Sequence, residues 1–197
     1  MLNIRLVLFR LEFLWRVKMP QIEIRPVIST DIVELIHLDH TCKTNYVWQM
    51  DRLLDDGQVQ VKFREIRLPR SVQVPYPRLA ESMADDWQLA PGLLTALHEG
   101  VPVGYVRLIE NYEVQTAILR DIVVDHKIRR QGIATVMVMA AQNWAVQRGH
   151  RRITMEMPSK NFPGIKLALK LGYEFSGYND SYYPNKDIAL FFSRYLK

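Results

Sequence analysis

Residues 123–142, VVDHKIRRQGIATVMVMAAQ, change from a strand pattern to a helix pattern across one short polar loop. A β-rich run ends at Val124, whereas the apolar residues from Ile133 onward recur at the spacing of one helix face. The pair Arg148-Gly149 then supplies a positive last turn and the glycine that often follows a helix. We therefore predict a strand, a loop and a long helix that begins near Ile133.

The start of this helix has the chemistry of an anion site. A first helical turn presents unpaired backbone N–H groups at the positive end of the helix dipole. Gly132 and Ala134 lack the bulk that would hold a diphosphate away from the backbone, and Arg129 and Arg130 can grip phosphate oxygens. Residues 129–134 would equally fit an ordinary helix start whose arginines face solvent. The Walker lysine loop and the three-glycine dinucleotide fingerprint are absent from the sequence, so ATP hydrolysis and NAD chemistry lose support.

The elements before this segment indicate an α/β fold. Alternation in QIEIRPV, from Gln21, predicts a strand, and residues 29–31 offer N-cap side chains for a helix after it. Residues 41–87 are less regular and loop-rich: QVQVKFREIRL alternates at period two, and we expect an extended loop at residues 69–77. The two apolar runs in LLTALHEGVPVGYVRLIE and the run at residues 117–124 predict a three-stranded antiparallel meander.

After the long helix, the sequence predicts a strand, a second helix and two more strands. RRITMEM is typical of a strand, and residues 161–171 predict a helix with Pro163 in its first turn and Gly172 after its end. The last two strands are expected around residues 173–177 and 188–195. The C-terminal half is therefore predicted to follow the order β-α-β-α-β-β.

The composition is that of one globular domain, because 197 residues and 48% hydrophobic residues suffice for one sizeable core. The longest apolar run, residues 136–141, is far shorter than the ~18 residues that a membrane span needs. The net charge of +5 is not gathered into a basic stripe, so we do not expect nucleic-acid binding. Cys42 is the single cysteine and no Cys/His cluster has metal-ligand spacing, so we expect a cytoplasmic protein without a bound metal.

The pattern Val124-x4-Arg129-x2-Gly132-x-Ala134, on a strand, loop and helix, resembles the acetyl-CoA pyrophosphate loop of the GCN5-related N-acetyltransferases (GNAT). HEGVPVGYVRL resembles the family's hairpin before that loop. NFPGIKLALKLGY, which begins at Asn161, resembles its downstream asparagine-helix-Gly-aromatic signature. A weaker likeness to the streptothricin acetyltransferase branch lies in ILRDIVV, in the glutamate of RRITMEM and in IALFFSRYL.

The resemblance spans residues 21–197 and implies a fold and a cosubstrate. It implies a single-domain α/β fold: a mixed, mostly antiparallel sheet, with helices on both faces and a splay between the strand that ends at Val124 and the one that ends near Met157. An extended amide-bearing arm can satisfy the backbone groups that such a splay leaves unpaired. Residues 20–197 are then an N-acetyltransferase domain, and residues 1–19 are an N-terminal extension of unknown role. The residues expected to bind acetyl-CoA, the acyl donor, are Ile122, Val123, Val124, Arg129, Arg130, Gln131, Gly132, Ile133, Ala134, Thr135 and Asn161.

Acetyl transfer to an amine requires a base, since an amine with a pKa near 10 is protonated at neutral pH. The resemblance implies a carboxylate or a water chain for this task. Asp121 lies on the motif strand and Glu156 on the neighbouring strand, so either could act, directly or through water, or could simply face solvent. Arg120 occupies the position that is glutamate in the streptothricin branch, which puts that branch's base in doubt for this chain.

The resemblance also implies a general acid, usually a tyrosine seven residues after the asparagine, and that position is Ala168 in this chain. A thiolate is a tolerable leaving group, so the loss should slow transfer rather than abolish it. Tyr182 or Tyr183, just before the last strand, could donate the proton from another direction, or could serve only in packing.

The expected acceptor is a primary amine of a small molecule, such as an aminoglycoside, a streptothricin-like antibiotic or a polyamine. A protein or peptide N-acetyltransferase is the alternative within enzymes, and a non-catalytic CoA-binding module is the alternative outside them, favoured by Ala168. A homodimer is left open. Specificity is expected from acidic and aromatic residues that suit a cation, or that form a solvated face: Tyr46, Trp48, Asp51, Asp55, Asp56, Tyr76, Asp85, Asp86 and Trp87.

Overall fold

The computed structural model describes residues 20–197, so the predicted N-terminal extension, residues 1–19, lies outside the described residues. Its helices and strands follow in chain order: β1 Ile22–Pro26, α1 Asp31–Ile36, β2 Cys42–Asp55, β3 Gln58–Val74, α2 Met83–Asp86, β4 Gly92–His98, β5 Val101–Asn111, β6 Thr116–Val124, α3 Ile133–Gln147, β7 Arg152–Pro158, α4 Phe162–Lys170, β8 Glu174–Asn179 and β9 Ala189–Tyr195. The predicted meander, both C-terminal helices and the β-α-β-α-β-β order are confirmed.

Within residues 20–197, seven strands form one sheet in the order β1-β4-β5-β6-β7-β9-β8, and only the β6 and β7 pair is parallel. Neighbouring residues of a strand face opposite sides of a sheet. Tyr105 and Val123 accordingly pack in one core cluster with residues of α1, whereas Val106 and Val124 pack in another cluster with residues of α3. The expected mostly antiparallel sheet with helices on both faces is confirmed.

The expected extended loop at residues 69–77 is wrong, because β3 continues to Val74 and pairs with β2 in a long two-stranded hairpin. The register shifts between Thr44, opposite Val72, and Tyr46, opposite Arg67. Pro69 falls inside that shift, where a strand tolerates a residue that cannot donate a ladder hydrogen bond. Residues 41–87 are therefore more regular than their sequence indicates.

The splay arises from an extra residue in β6. Leu119 and Asp121 pair with consecutive residues of β5, so Arg120 between them is a β-bulge. The parallel pairing of β6 with β7 ends at the same place, with Leu119 opposite Met155. A bulge bends its strand and increases the local twist. Beyond Leu119, β6 follows β5 and β7 follows β9, so the two central strands diverge.

Glu110 ties β5 to the far end of α3 and gives the fold an acid-sensitive contact. Its carboxylate accepts hydrogen bonds from the Arg148 guanidinium at 2.6 and 3.0 Å, and its Oε1 lies 3.0 Å from Nε2 of His150. The hydrogen bonds from Arg148 are the main cause of a Glu110 pKa lowered from 4.5 to about 2.

We expect Glu110→Gln to cost on the order of 1–2 kcal/mol of unfolding free energy at pH 7, a figure discounted for the half-exposed Arg148. A carboxyl group whose pKa is lowered by folding stabilises the folded state at any pH above its ordinary, unfolded pKa. This stabilisation is lost as the pH falls through the pKa of the folded state. The difference in unfolding free energy between wild type and variant should therefore narrow as pH falls from 4.5 toward 2. Urea unfolding at pH 7 and at pH 3 measures it, and an equal difference at both would contradict the assignment.

Candidate functional site

The loop before α3 turns sharply and leaves the first helical amides unpaired. Arg130 and Gly132 both adopt positive φ, 69° and 86°, and Gly132 is the N-cap of the helix. The Val136 amide makes the first helical bond, to the carbonyl of Gly132 at 3.2 Å. The amides of residues 133–135 therefore point out of the helix start without an intrahelical acceptor. This is the geometry expected for a diphosphate cradle, whose ligand remains a prediction.

Arg129 is engaged by backbone carbonyls. Its guanidinium donates hydrogen bonds to the carbonyls of Val124 at 2.8 Å, Thr41 at 2.8 Å and Asp39 at 2.7 Å. The side chain thus ties the segment between α1 and β2 to the end of β6. Arg130, in contrast, is exposed and makes no hydrogen bond or ion pair with residues 20–197. Of the two predicted phosphate ligands, Arg130 has the freer guanidinium, and phosphate binding by Arg129 would compete with its three backbone bonds.

The predicted pantetheine-binding residues Ile122, Val123 and Val124 lie on β6 beyond the bulge, where the strand no longer pairs with β7. On the other side they pair with β5, whose Gly104 lies opposite Val124. A Cβ on Gly104 would lie 2.5 Å from the Val123 carbonyl oxygen, which explains glycine there. One backbone edge of residues 122–124 therefore faces the splay.

Asn161 is the N-cap of α4, because its Oδ1 accepts a hydrogen bond from the Gly164 amide at 3.0 Å. Its predicted contact with acetyl-CoA remains a prediction. Ala168, at the position where the family has tyrosine, is fully buried in the core cluster of α3 and α4. No side chain reaches the splay from that position.

The structure brings the two candidate bases together through a third residue. Asp121 and Glu156 are both buried, on neighbouring central strands. Arg78, which follows β3, donates to Oδ1 of Asp121 at 2.8 Å, to the carbonyl of Arg120 at 3.3 Å and to Oε1 of Glu156. Burial disfavours the Arg78 charge, but the two carboxylates outweigh it and raise the pKa of the guanidinium. Arg78 is therefore a fixed cation across the splay.

Tyrosines donate further hydrogen bonds to both carboxylates. Tyr76 donates to Oδ1 of Asp121 at 2.6 Å, and Tyr183 and Tyr182 donate to Oε1 and Oε2 of Glu156, each at 3.2 Å. Burial, and then the charge of Glu156, raise the pKa of both Tyr182 and Tyr183. The two tyrosines predicted as acids thus keep their protons at neutral pH and contact the splay.

One carboxylate oxygen stands apart from this network. Oδ2 of Asp121 accepts no hydrogen bond from the part of the chain that the structure describes, whereas both oxygens of Glu156 are engaged. A cavity of about 10 Å³, enough for about one water molecule, is lined by Asp121, Tyr76, Arg78 and Tyr105. Asp121 is therefore the carboxylate that can take a proton without first breaking a hydrogen bond.

Sequence reasoning missed Arg78, Tyr105 and His40. Arg78 lies 43 and 78 residues from the carboxylates it binds, so no local spacing could reveal it. The His40 ring lies 4.9 Å from the Tyr76 ring and 5.8 Å from the Tyr105 ring, and its Nδ1 is 2.6 Å from the Leu38 carbonyl. Burial is the main cause of its lowered pKa. These residues form a polar and aromatic layer beside Asp121.

A larger cavity of about 260 Å³ lies between α3 and the C-terminal residues, and no predicted site residue lines it. Within residues 20–197, no group of three or more His, Cys, Asp or Glu side chains could hold a metal ion. No helix in the same range is long and apolar enough to cross a membrane. The splay is thus the place where the predicted residues converge.

Solved structures share this architecture. A nourseothricin acetyltransferase is 18% identical, with a TM-score of 0.75, over 89% of this chain and 99% of that chain. A streptothricin acetyltransferase from Bacillus anthracis str. Ames, solved in complex with acetyl coenzyme A, is 19% identical, with a TM-score of 0.69, over 89% of this chain and 99% of that chain. The ribosomal-protein-S18-alanine N-acetyltransferase from Escherichia coli is 18% identical, with a TM-score of 0.51, over 60% of this chain and 77% of that chain. At such identities the similarity establishes the fold alone.

The sequence itself identifies the family. Comparison with curated proteins finds no significant match. The model of the acetyltransferase (GNAT) family, however, matches residues 61–173, which is more than half of the chain and runs from β3 past α4. The match includes β6, the loop before α3, and both candidate bases. The chain belongs to the GNAT family of acetyltransferases.

Proposed function

We propose that this GNAT protein uses acetyl-CoA to acetylate a primary amine of a small molecule by direct transfer. The observation that carries the proposal is the position of Asp121, a buried carboxylate with one unbonded oxygen, on the strand that leads to the unpaired start of α3. A proton acceptor and an anion cradle therefore lie at the two ends of one short segment.

The residues around the splay fit acetyl-CoA. The free edge of residues 122–124 can pair with the amides of a pantetheine arm, as an added strand would. The amides of residues 133–135 and the exposed Arg130 side chain offer donors and positive charge to a diphosphate. Acetyl-CoA supplies the thioester whose acyl group is transferred. The Bacillus anthracis relative, solved with acetyl coenzyme A, supports this assignment.

We assign Asp121 as the base and Tyr182 or Tyr183 as the acid. Oδ2 of Asp121 accepts the proton of the acceptor ammonium, and the freed nitrogen attacks the thioester carbonyl. The N–C bond forms, the C–S bond breaks, and one of the tyrosines, which keep their protons at neutral pH, protonates the departing thiolate. That tyrosine recovers its proton from the attacking nitrogen, which loses its second proton on becoming an amide, and the proton held by Asp121 passes to solvent. Glu156 holds both tyrosine hydroxyls in place.

The charge and size of the site favour a small cationic acceptor. Two buried carboxylates face one guanidinium, so the cluster is formally negative and attracts an ammonium ion. The cavity of about 10 Å³ beside Asp121 is too small for an acceptor, so we expect four of its lining residues, none of which bonds Asp121, to move and admit one: Leu79, Ala80, Ser82 and Met83. The nourseothricin and streptothricin acetyltransferases have TM-scores of 0.75 and 0.69, above the 0.51 of the ribosomal-protein acetyltransferase, which supports a small-molecule acceptor.

Thiol release with a panel of acceptors tests the proposal. We expect aminoglycosides, a streptothricin and polyamines to release free CoA thiol from acetyl-CoA at least ten times faster than peptides with free N-termini, a ratio of about 1.4 kcal/mol in activation free energy. Faster release with peptides would favour the protein N-acetyltransferase. Thermal stabilisation by CoA without thiol release from any amine would identify a binding module, which Ala168 favours.

A further inference from the structure

We propose that Arg78 determines acceptor selectivity by cancelling one of the two facing carboxylates, so that the site selects a lone ammonium group over two closely spaced ones. The inference rests on the proposed function and adds a substrate feature to it. Its carrying observation is that one guanidinium binds Asp121 on β6 and Glu156 on β7 at once.

The Arg78 guanidinium lies close enough to both carboxylates to contribute to the net charge of the site. Its side chain is 18% exposed, against 3% for Asp121 and 2% for Glu156, so solvent screens these charges poorly. The guanidinium also lies 5.4 Å from the centre of the Tyr183 ring, which favours a cation there. With both carboxylates ionised, one arginine leaves the cluster with one net negative charge.

Two other arginines lie near the cluster, and neither binds Asp121 or Glu156; the charge of Arg120 acts on the Tyr182 hydroxyl, where it opposes the rise of the tyrosine pKa. Arg107 on β5 lies opposite Asp121 on β6, but its guanidinium is paired with Asp86 at 2.5 Å. Arg120, at the bulge, forms no ion pair with either carboxylate within residues 20–197. Arg78 is therefore the cation that both carboxylates share.

A single residual charge has a consequence for the acceptor. One ammonium neutralises the site, so a second cation a few carbons away gains little and loses its hydration. Without Arg78 the site would carry two negative charges, and the second cation would find a partner. A doubly negative site would also stabilise the protonated amine, which must lose its proton before attack.

The experiment compares propylamine with 1,3-diaminopropane in the full chain. In Arg78→Met, we expect the kcat/KM ratio of diamine to monoamine to rise about tenfold, as one unit charge at roughly 10 Å produces at an effective dielectric constant near 20. For propylamine, KM should fall and kcat should fall with it. Calorimetric titration of both amines gives the same preference as binding affinities, whether or not turnover occurs.

Three further variants separate charge from structure. Arg78→Met combined with Glu156→Gln restores one net negative charge and should return the selectivity ratio to the wild-type value. Arg78→Lys, which keeps the charge, should leave the ratio unchanged; if Arg78→Met does not fold, Arg78→Gln replaces it as the variant that removes the charge. Arg64→Met, which removes an arginine from an exposed pair with Asp51, controls for loss of a cation elsewhere.

Distinct results would overturn the inference. An unchanged ratio in folded Arg78→Met, or a ratio that the double variant does not restore, would reduce Arg78 to a structural contact. A lower KM with unchanged or higher kcat for both amines would mean that Arg78 merely competes with the acceptor. Absence of thiol release from wild type, with the amine-binding preference intact, would contradict the proposed function but not the role of Arg78.

Discussion

Asp121→Asn should lower kcat/KM for amine acetylation by about 100-fold to 1,000-fold, which is typical of the loss of a general base. Asparagine keeps the size of the side chain, and its oxygen still accepts from Tyr76 and Arg78, but it cannot take a proton. The deficit should shrink as pH rises toward 10, because the acceptor amine then loses its proton to solvent. Steady-state thiol release between pH 7 and pH 10 measures both effects.

Asp31→Asn is the matched control for this variant. Asp31 is also a buried aspartate bonded to an arginine, Arg25, at 2.6 Å, but it lies at the start of α1. We expect similar destabilisation and little change in kcat/KM. An Asp121→Asn enzyme with wild-type turnover at pH 7, or with a deficit that stays constant up to pH 10, would remove Asp121 from the role of base.

Gly132→Glu should weaken CoA binding by about 100-fold or more, which corresponds to about 2.7 kcal/mol. The new side chain places bulk and negative charge at the helix start, where the diphosphate is expected. Gly132 has a positive φ of 86°, and a residue with a Cβ in that conformation loses on the order of 1 kcal/mol in stability. Titration calorimetry with CoA measures the affinity, and circular dichroism verifies the fold.

Gly149→Glu controls for the strain of this substitution. Gly149 has a nearly equal φ of 81° and follows the other end of α3, with open space around the position of a Cβ. The two variants should lose similar stability, whereas only Gly132→Glu should lose affinity. Equal CoA affinity in a folded Gly132→Glu protein would place the diphosphate elsewhere.

The sequence predicts elements well where neighbours along the chain decide them. The start of α3 after Gly132 and the capping of α4 by Asn161 follow from bonds between residues three or four positions apart. The sequence wrongly predicts an extended loop at residues 69–77, because a proline such as Pro69 usually interrupts a strand. Only the register shift opposite Thr44 and Tyr46 shows how β3 accommodates it.

The sequence by itself determined the order of strands and helices from β4 onward and predicted an anion site at the start of α3, since both depend on local spacing. Tertiary structure alone decided which face Asp121 occupies. Strand alternation by itself would place Asp121 on the same face as Leu119, in the core cluster with α3. The bulge at Arg120 inserts one residue into the pairing with β5 and turns Asp121 to the opposite face. Arg78 reaches it there from another part of the chain, because only folding brings residues 43 positions apart into contact.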